Sequence, residues 1–125
     1  MKEKTQISQP TSAELKALVI DALEDKKARD IVAIDVDNLT VLADSFVICD
    51  GTSTTHIKAL ADSVEKALLE SCGVAVKRRE GYNSARWILL DYGDVIVHVF
   101  HEKDRRFYDI ERLWSDGVVT YKGRG

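Results

Sequence analysis

The stretch at residues 87–100 constrains the fold most, because two apolar runs there flank a short polar turn. It reads WILLDYGDVIVHVF. Two β-rich runs joined by a short turn that contains glycine predict a β-hairpin. With a two-residue loop at Tyr92-Gly93, the register pairs Trp87 with His98. The chain must therefore form a sheet that contains this hairpin.

The predicted hairpin has two chemically different faces, since successive side chains of a strand point to opposite sides. One face is aliphatic and consists of Ile88, Leu90, Val95, Val97 and Val99. The other mixes aromatic, aliphatic and acidic residues, namely Trp87, Leu89, Asp91, Asp94, Ile96, His98 and Phe100. We expect the aliphatic face to lie in the core and the mixed face to contact a partner.

Length and charge limit the function classes. With 125 residues, the chain suffices for one domain with a single hydrophobic core. Its net charge of −3 contrasts with the basic excess that proteins usually need to neutralise nucleic-acid phosphates. A local basic cluster at Lys77-Arg78-Arg79 is more simply a solvated strand end. We expect little direct contact with nucleic acid.

Compartment is indicated by cysteine use and by the absence of targeting signals. Cys49 falls in a predicted strand and Cys72 at a helix end, which favours two free thiols in a reducing cytoplasm. No apolar run approaches the length of a membrane span, and the polar residues 1–10 resemble neither a signal peptide nor a transit segment. We expect a cytoplasmic protein without a membrane partner.

Periodicity and capping signals predict one α/β domain with a mixed sheet of about five strands flanked by helices. The element order is α-β-β-α-β-β-β-α. The predicted elements are a helix with a capping box at 11–14, strands at 30–36 and 44–50, a helix from Thr52 or Ser53 to Gly73, a short strand at 74–76, the hairpin, and a helix capped by Asp104 that carries Phe107, Ile110, Leu113 and Trp114. The domain spans 11–115, between a flexible N-terminal tail at 1–10 and a flexible or loosely docked C-terminal tail at 116–125.

Two features could support enzyme chemistry, and each has a structural alternative. Gly51-Thr52-Ser53 at a strand-to-helix junction could hold a phosphate, but hydroxyl residues also cap helices there. Asp91 and Asp94 could bind Mg²⁺ and orient a nucleotide. Because Asp is also favoured in turns, turn formers or partner-binding acids are the preferred interpretation.

No further catalytic or metal-binding pattern is found. His98 and His101 are three positions apart on a strand, which places them on opposite faces and argues against a shared metal. The chain has no nucleophile motif of the G-x-S-x-G type. We therefore expect neither a cofactor nor an enzyme.

Aromatic residues favour binding instead. Trp87 on a strand and Tyr92 at the adjoining turn are typical of the aromatic anchors of protein interfaces. In the alternative interpretation, a helix covers Trp87 and Phe100 and both belong to the core. Asp91 and Asp94 beside them favour a basic partner surface.

Four motifs in order resemble the ribosome silencing factor family, also called the Iojap-related family. They are DIVAIDV at 30–36, ADSFVICDGTS at 43–53, GYNSARWILLDYGDVIVHVF at 81–100 and RRFYDIERLW at 105–114. The resemblance covers about residues 13–115, nearly the whole predicted domain.

The resemblance implies a nucleotidyltransferase-like α/β fold without demonstrated transferase chemistry. It also implies binding to the large ribosomal subunit through ribosomal protein fourteen, a basic protein at the inter-subunit face. A factor there sterically prevents the small subunit from joining, which lowers translation when nutrients are scarce. The partner-binding residues that the resemblance implies are Trp87, Leu90, Asp91, Tyr92, Gly93 and Asp94, with Arg106 and Tyr108 as further candidates that could instead brace the last helix.

Two points stay open at the level of the sequence. The hairpin register directs Leu90 into the core, whereas the resemblance places it in the contact surface. A rival hypothesis is a nucleotide-binding or nucleotidyl-transferring enzyme that uses Asp91, Asp94 and the Gly51-Thr52-Ser53 turn with Mg²⁺. The sequence also leaves open whether the free protein forms a homodimer through the mixed face.

Overall fold

A single six-stranded sheet carries helices on both faces in the computed structural model, which describes residues 10–123. The predicted N-terminal tail lies outside the described residues except for Pro10. The elements are α1 (Ser12–Asp25), β1 (Arg29–Asp35), β2 (Ser45–Gly51), α2 (Thr54–Cys72), β3 (Arg78–Glu80), β4 (Trp87–Asp91), β5 (Val95–His101), α3 (Glu102–Tyr108), α4 (Ile110–Leu113) and β6 (Val118–Lys122).

The sheet is mixed, as the sequence predicts, with the strand order β3-β4-β5-β2-β1-β6. The central strands β2 and β5 are parallel, and every other neighbouring pair is antiparallel. The crossover from β2 to β5 contains α2, because parallel neighbours need a long connection. The expected number of about five strands is therefore one too low.

Helix ends follow the predicted chemistry. The Thr11 side chain accepts a hydrogen bond from the Glu14 N–H while the Glu14 carboxylate accepts one from the Thr11 N–H, which completes the capping box of α1. Ser53 caps α2 by accepting from the His56 N–H. Gly73 ends α2 with a φ of 69°, a left-handed conformation that glycine adopts without strain.

Two hydrophobic clusters lie on opposite faces of the sheet. The larger packs α1 and α2 against the aliphatic hairpin face and includes Val19, Leu23, Leu60 and Val64. The smaller lies under α3 and α4, where its buried residues are Val32, Ile34, Val36, Ala43, Phe46, Ile48, Phe100 and Ile110. The first cluster confirms that the aliphatic face of the hairpin is core.

The hairpin loop lies one residue further along than expected. Tyr92 N–H donates to the Val95 carbonyl, so the two loop residues are Gly93 and Asp94. Gly93 has a φ of 87° at the first loop position, where type II′ turns prefer glycine. Trp87 consequently pairs with Phe100 rather than with His98. Because the register changes by two residues, the side chains of both strands keep their predicted faces, and only Asp94 moves from the predicted strand into the loop.

The predicted strand at 74–76 is wrong. These residues form an irregular connection after Gly73, and β3 begins only at Arg78. Val74 and Val76 pack partly against the larger cluster, so their apolar character reflects packing and not pairing.

The last predicted helix is interrupted at Asp109, which adopts a φ of 48° and separates α3 from α4. Aspartate tolerates this left-handed conformation better than most residues. His101, and not Asp104, caps α3, since its Nδ1 accepts from the Lys103 N–H. Asp104 forms a two-pronged hydrogen bond to Arg86 instead.

The predicted C-terminal tail contains the sixth strand. Val118–Lys122 pairs antiparallel with β1 and forms an edge of the sheet. Gly117 permits this approach, because a Cβ there would lie 2.6 Å from Ile34 Cγ2 and 2.7 Å from the Asp35 carbonyl oxygen. Most of β6 is exposed, so its sequence lacks the apolar alternation that would reveal a strand.

Cys49 and Cys72 are free and buried, as expected. Burial raises the pKa of the Cys49 thiol to about 12. Among the described helices, none combines the length and apolar character needed to cross a membrane.

Candidate partner-binding site

Trp87 is half-buried at the centre of an aromatic cluster on the mixed face. Its ring stacks on Phe100 with centroids 4.8 Å apart and lies 4.9 Å from the Tyr108 ring of α3. Its indole Nε1 donates to His98 Nδ1 at 3.2 Å. Phe100 is fully buried, as the core interpretation requires, but Trp87 keeps an accessible edge. The indole is therefore both fixed from below and available from outside.

Leu90 and Tyr92 lie on the opposite side of the sheet. Leu90 is fully buried and Tyr92 nearly so, and both belong to the cluster beneath α1 and α2. Burial raises the pKa of the Tyr92 phenol, which finds no hydrogen-bond partner among the described residues. Side chains buried this deeply offer a partner little surface, so the place of Leu90 and Tyr92 among the partner-binding residues stays a prediction. Leu89 is half-exposed on the face of Trp87.

The hairpin turn places two carboxylates at one end of the mixed face. Asp91 Oδ1 accepts from the Gly93 N–H at 2.8 Å, which fixes the turn. The Asp94 carbonyl accepts from the N–H groups of Asp44 and Ser45, and its side chain is exposed. These hydrogen bonds hold the turn at the end of β4 opposite to Trp87.

Helix α3 extends the aromatic surface. Tyr108 is 48% exposed and packs on Trp87, while Phe107 is 80% exposed and lies edge-on to Tyr108. Arg106 is exposed and lines two cavities, a polar one of about 340 Å³ with Arg29 and Glu102, and a second one with Phe107 and Tyr108. The structure thus brings Tyr108 to Trp87 and places Arg106 between the aromatic residues of α3 and the polar cavity.

A buried ion pair that the sequence did not reveal holds α3 on the sheet. Arg105 Nη1 donates to Asp50 Oδ2 at 3.0 Å, and its Nε and Nη2 donate to the two Glu111 oxygens. Burial raises the pKa of the Asp50 carboxyl, and the Arg105 guanidinium opposes that rise. The two partners are 55 residues apart in sequence, so no local pattern indicates the contact.

The residues of the rival enzyme site lie at opposite ends of the sheet. Asp91 and Asp94 flank the turn that precedes β5, whereas the turn after Gly51 follows the far end of β2. The parallel register pairs Ser45 with Val95 and Gly51 with His101. Six residues of strand separate the two turns by about 20 Å. One nucleotide phosphate cannot bind at both turns.

The basic cluster at Lys77-Arg78-Arg79 is an exposed strand end. Arg78 pairs with Glu80, and Arg79 pairs with Glu65. Neighbouring carboxylates therefore balance much of its charge, in agreement with the interpretation as a solvated edge.

Comparison with known proteins gives a consistent result. Residues 9–123 match the family described as "Ribosomal silencing factor during starvation". A ribosomal silencing factor from Halalkalibacterium halodurans is 43% identical over 110 residues, covering 88% of this chain and 93% of that protein. The crystal structure of a Chromobacterium violaceum protein is 40% identical, with a TM-score of 0.82 over 93% of this chain and 95% of that one.

A more distant relative comes from mouse. The protein named "Mitochondrial assembly of ribosomal large subunit protein 1" is 30% identical over 100 residues, which cover 78% of this chain and 44% of that protein. Together the fold and these matches define a single-domain α/β protein of a ribosome-associated regulatory class. The chain belongs to the ribosomal silencing factor family.

Proposed function

We propose that this protein binds the large ribosomal subunit through ribosomal protein fourteen and sterically prevents the small subunit from joining. Translation in the cytoplasm then falls when nutrients are scarce. Family membership supports the silencing role, and the name of the mouse relative supports the large subunit as the partner. The single observation that carries the proposed site is the half-exposed Trp87 at the centre of an aromatic surface.

The aromatic surface has the composition of a protein interface. Trp87, Tyr108 and Phe107 form a continuous series of rings, in which successive centroids are 4.9 and 5.1 Å apart. Exposed contiguous aromatic residues are unusual on a monomer unless they meet a partner. Trp and Tyr are also the residues that most often dominate binding energy. We therefore assign this surface, with Leu89 at its side, to the ribosomal protein.

Charge favours a basic partner. Asp91 and Asp94 lie at the hairpin end of the same surface, and the chain as a whole carries a net charge of −3. Asp91 is four strand residues from Trp87, about 13 Å along β4. Acidic residues on the same face as an aromatic cluster complement a basic protein, and they repel bare phosphate backbone. On this proposal, the nucleotidyltransferase-like fold that the family resemblance implies carries no transferase chemistry.

The experiment that tests the proposal is co-sedimentation of the protein with separated ribosomal subunits in sucrose gradients. The wild-type protein is expected to travel with the large subunit and not with the small one. Replacing Trp87 by Ala is expected to weaken this binding at least 30-fold, because removal of an interface aromatic typically costs about 2–4 kcal/mol.

A matched control is Tyr82→Ala, because Tyr82 is an equally half-buried aromatic that packs against the opposite cluster. This variant is expected to bind like the wild type. Circular dichroism of both variants shows whether the fold is retained. Wild-type protein that stays at the top of the gradient, or a folded Trp87→Ala variant that still binds, contradicts the proposal.

A further inference from the structure

The side chain beneath Trp87 is a histidine that is almost inaccessible to solvent and is surrounded by aromatic rings. His98 is 6% exposed, and its ring lies 5.1 Å from Phe46 and 6.0 Å from Trp87, measured between centroids. It occupies β5 opposite Leu89, one strand away from Trp87 on the same face. Asp50 is another buried titratable strand residue on this face, but it is paired with Arg105, whereas the rings around His98 are aromatic. A nonpolar residue would fill the same space, so the imidazole calls for an explanation.

The hydrogen bond to Trp87 defines the protonation state of this imidazole. The indole N–H can only donate, so His98 Nδ1 must accept and the proton must reside on Nε2. His98 Nε2 is buried and has no hydrogen-bond partner in the described part of the chain. The protein thus leaves one buried donor unsatisfied in order to keep an acceptor under Trp87, an arrangement that normally costs stability.

Stacking alone does not determine which way the indole points. The contacts with the Phe100 and Tyr108 rings involve the Trp87 ring as a whole, whereas the hydrogen bond is made by the single atom Nε1 and so depends on which edge of the indole faces His98. We propose that His98 is a positioning residue, which fixes the Trp87 indole in the orientation that docks on the ribosomal protein. This inference rests on the proposed function, because it concerns the same surface.

The expected consequence is a split between binding and stability. A protein whose Trp87 side chain becomes ordered only on docking should bind about 3- to 10-fold more weakly than one in which this side chain is already fixed. Replacing His98 by Leu removes the acceptor and also removes the unsatisfied Nε2 donor. The fold should therefore retain its stability while affinity falls. A purely structural role for His98 predicts instead that stability and affinity fall together.

The first measurement concerns the protein alone. The indole N–H resonances of the two tryptophans are separated in an ¹⁵N-correlated NMR spectrum, and a Trp114→Phe variant assigns them. The Trp87 resonance is expected to show slow hydrogen exchange in the wild type. Exchange should become at least tenfold faster in His98→Leu. In His98→Asn, whose amide oxygen stands where Nδ1 was, the slow exchange should be kept. The neutral Nε2–H form of His98 should appear in the wild-type spectrum at pH 7.

The second measurement is the affinity of the same variants for the large ribosomal subunit. His98→Leu should bind 3- to 10-fold more weakly and His98→Asn close to wild type. Unchanged indole exchange in His98→Leu, unchanged affinity despite faster exchange, or the opposite tautomer in the wild type overturns the inference. Failure of the wild-type protein to bind overturns the proposed function instead, and the exchange experiment still reports on the hydrogen bond.

Discussion

At the scale of single residues, His98 also makes the folded state sensitive to acid. Burial lowers the pKa of its imidazole from 6.5 to about 4, because the rings of Phe46, Trp87 and Phe100 around it cannot solvate a charge. Between these two pH values the unfolded chain binds a proton that the folded chain does not. Stability that is fully present above pH 6.5 is consequently lost as the pH falls towards 4.

We expect the free energy of unfolding of the wild type to fall by about 2 kcal/mol between pH 7 and pH 5 from His98 alone. Urea denaturation at the two pH values measures it. His98→Leu should lack this contribution. Because His56 and His101 are common to both proteins, the difference between their changes in unfolding free energy from pH 7 to pH 5 isolates the buried imidazole. If the unfolding free energy changes equally with pH in the two proteins, His98 is protonated as easily in the folded state as in the unfolded one.

At the scale of secondary-structure elements, one buried ion pair attaches α3 to the sheet, beside the more exposed pairs of Glu102 with Arg29 and of Asp104 with Arg86. Arg105 is the only buried residue of this seven-residue helix, and it reaches Asp50 on β2 and Glu111 on α4. Removing one partner of a buried pair leaves the other charge without compensation. The aromatic contact between Tyr108 and Trp87 depends on this attachment, because Tyr108 ends the same helix.

Arg105→Met is expected to lower the free energy of unfolding by about 3–5 kcal/mol. The matched control is Arg106→Met, one residue further along, where the side chain is exposed and the change should stay within about 0.5 kcal/mol. Chemical denaturation of the two variants beside the wild type makes the comparison. Similar losses in both would mean that the ion pair does not hold α3.

The elements that the sequence predicts well are those with local signals. The capping box at Thr11, the left-handed Gly73 and the alternation of the hairpin are read from a few neighbouring residues, and each is confirmed. Alternation also placed Leu90 in the core correctly, where the family resemblance alone placed it in the contact surface. Local chemistry thus fixed which side chains share the face of Trp87.

The remainder depends on contacts between distant parts of the chain. β6 becomes a strand only by pairing with β1, more than eighty residues earlier, and its own side chains are mostly exposed. Asp50 and Arg105 meet across 55 residues, so the sequence shows two ordinary charges. The helix break at Asp109 depends on a left-handed backbone conformation, which a single aspartate permits but which its presence in the sequence does not predict. None of these could be derived from periodicity.

At the scale of the whole molecule, the two hydrophobic clusters share one sheet. β1, β2 and β5 each contribute buried side chains to both clusters, for example Val47 to one and Ile48 to the other. If these shared strands unfold, both clusters lose their packing at the same time. For a domain of this size, that favours a single cooperative unfolding transition.

Urea unfolding followed by tryptophan fluorescence and by far-ultraviolet circular dichroism tests this cooperativity. Both tryptophans report on the smaller cluster, whereas the long helices α1 and α2, which dominate the dichroism, cover the larger one. The two curves are expected to coincide in midpoint and slope. A fluorescence transition at clearly lower urea would show that the face carrying α3 and α4 unfolds on its own.

The pairing of β6 with β1 also determines when the sheet can be completed during synthesis of the chain. β1 leaves the synthesising ribosome more than eighty residues before its partner β6 does. Until β6 has emerged, β1 exposes an unpaired edge that could recruit strands of other chains. The edge of β1 therefore stays open until β6 has emerged and paired, and a chain truncated before Val118 keeps that edge open. Such a truncated chain is expected to self-associate more readily than the wild type, because unpaired strand edges recruit other strands.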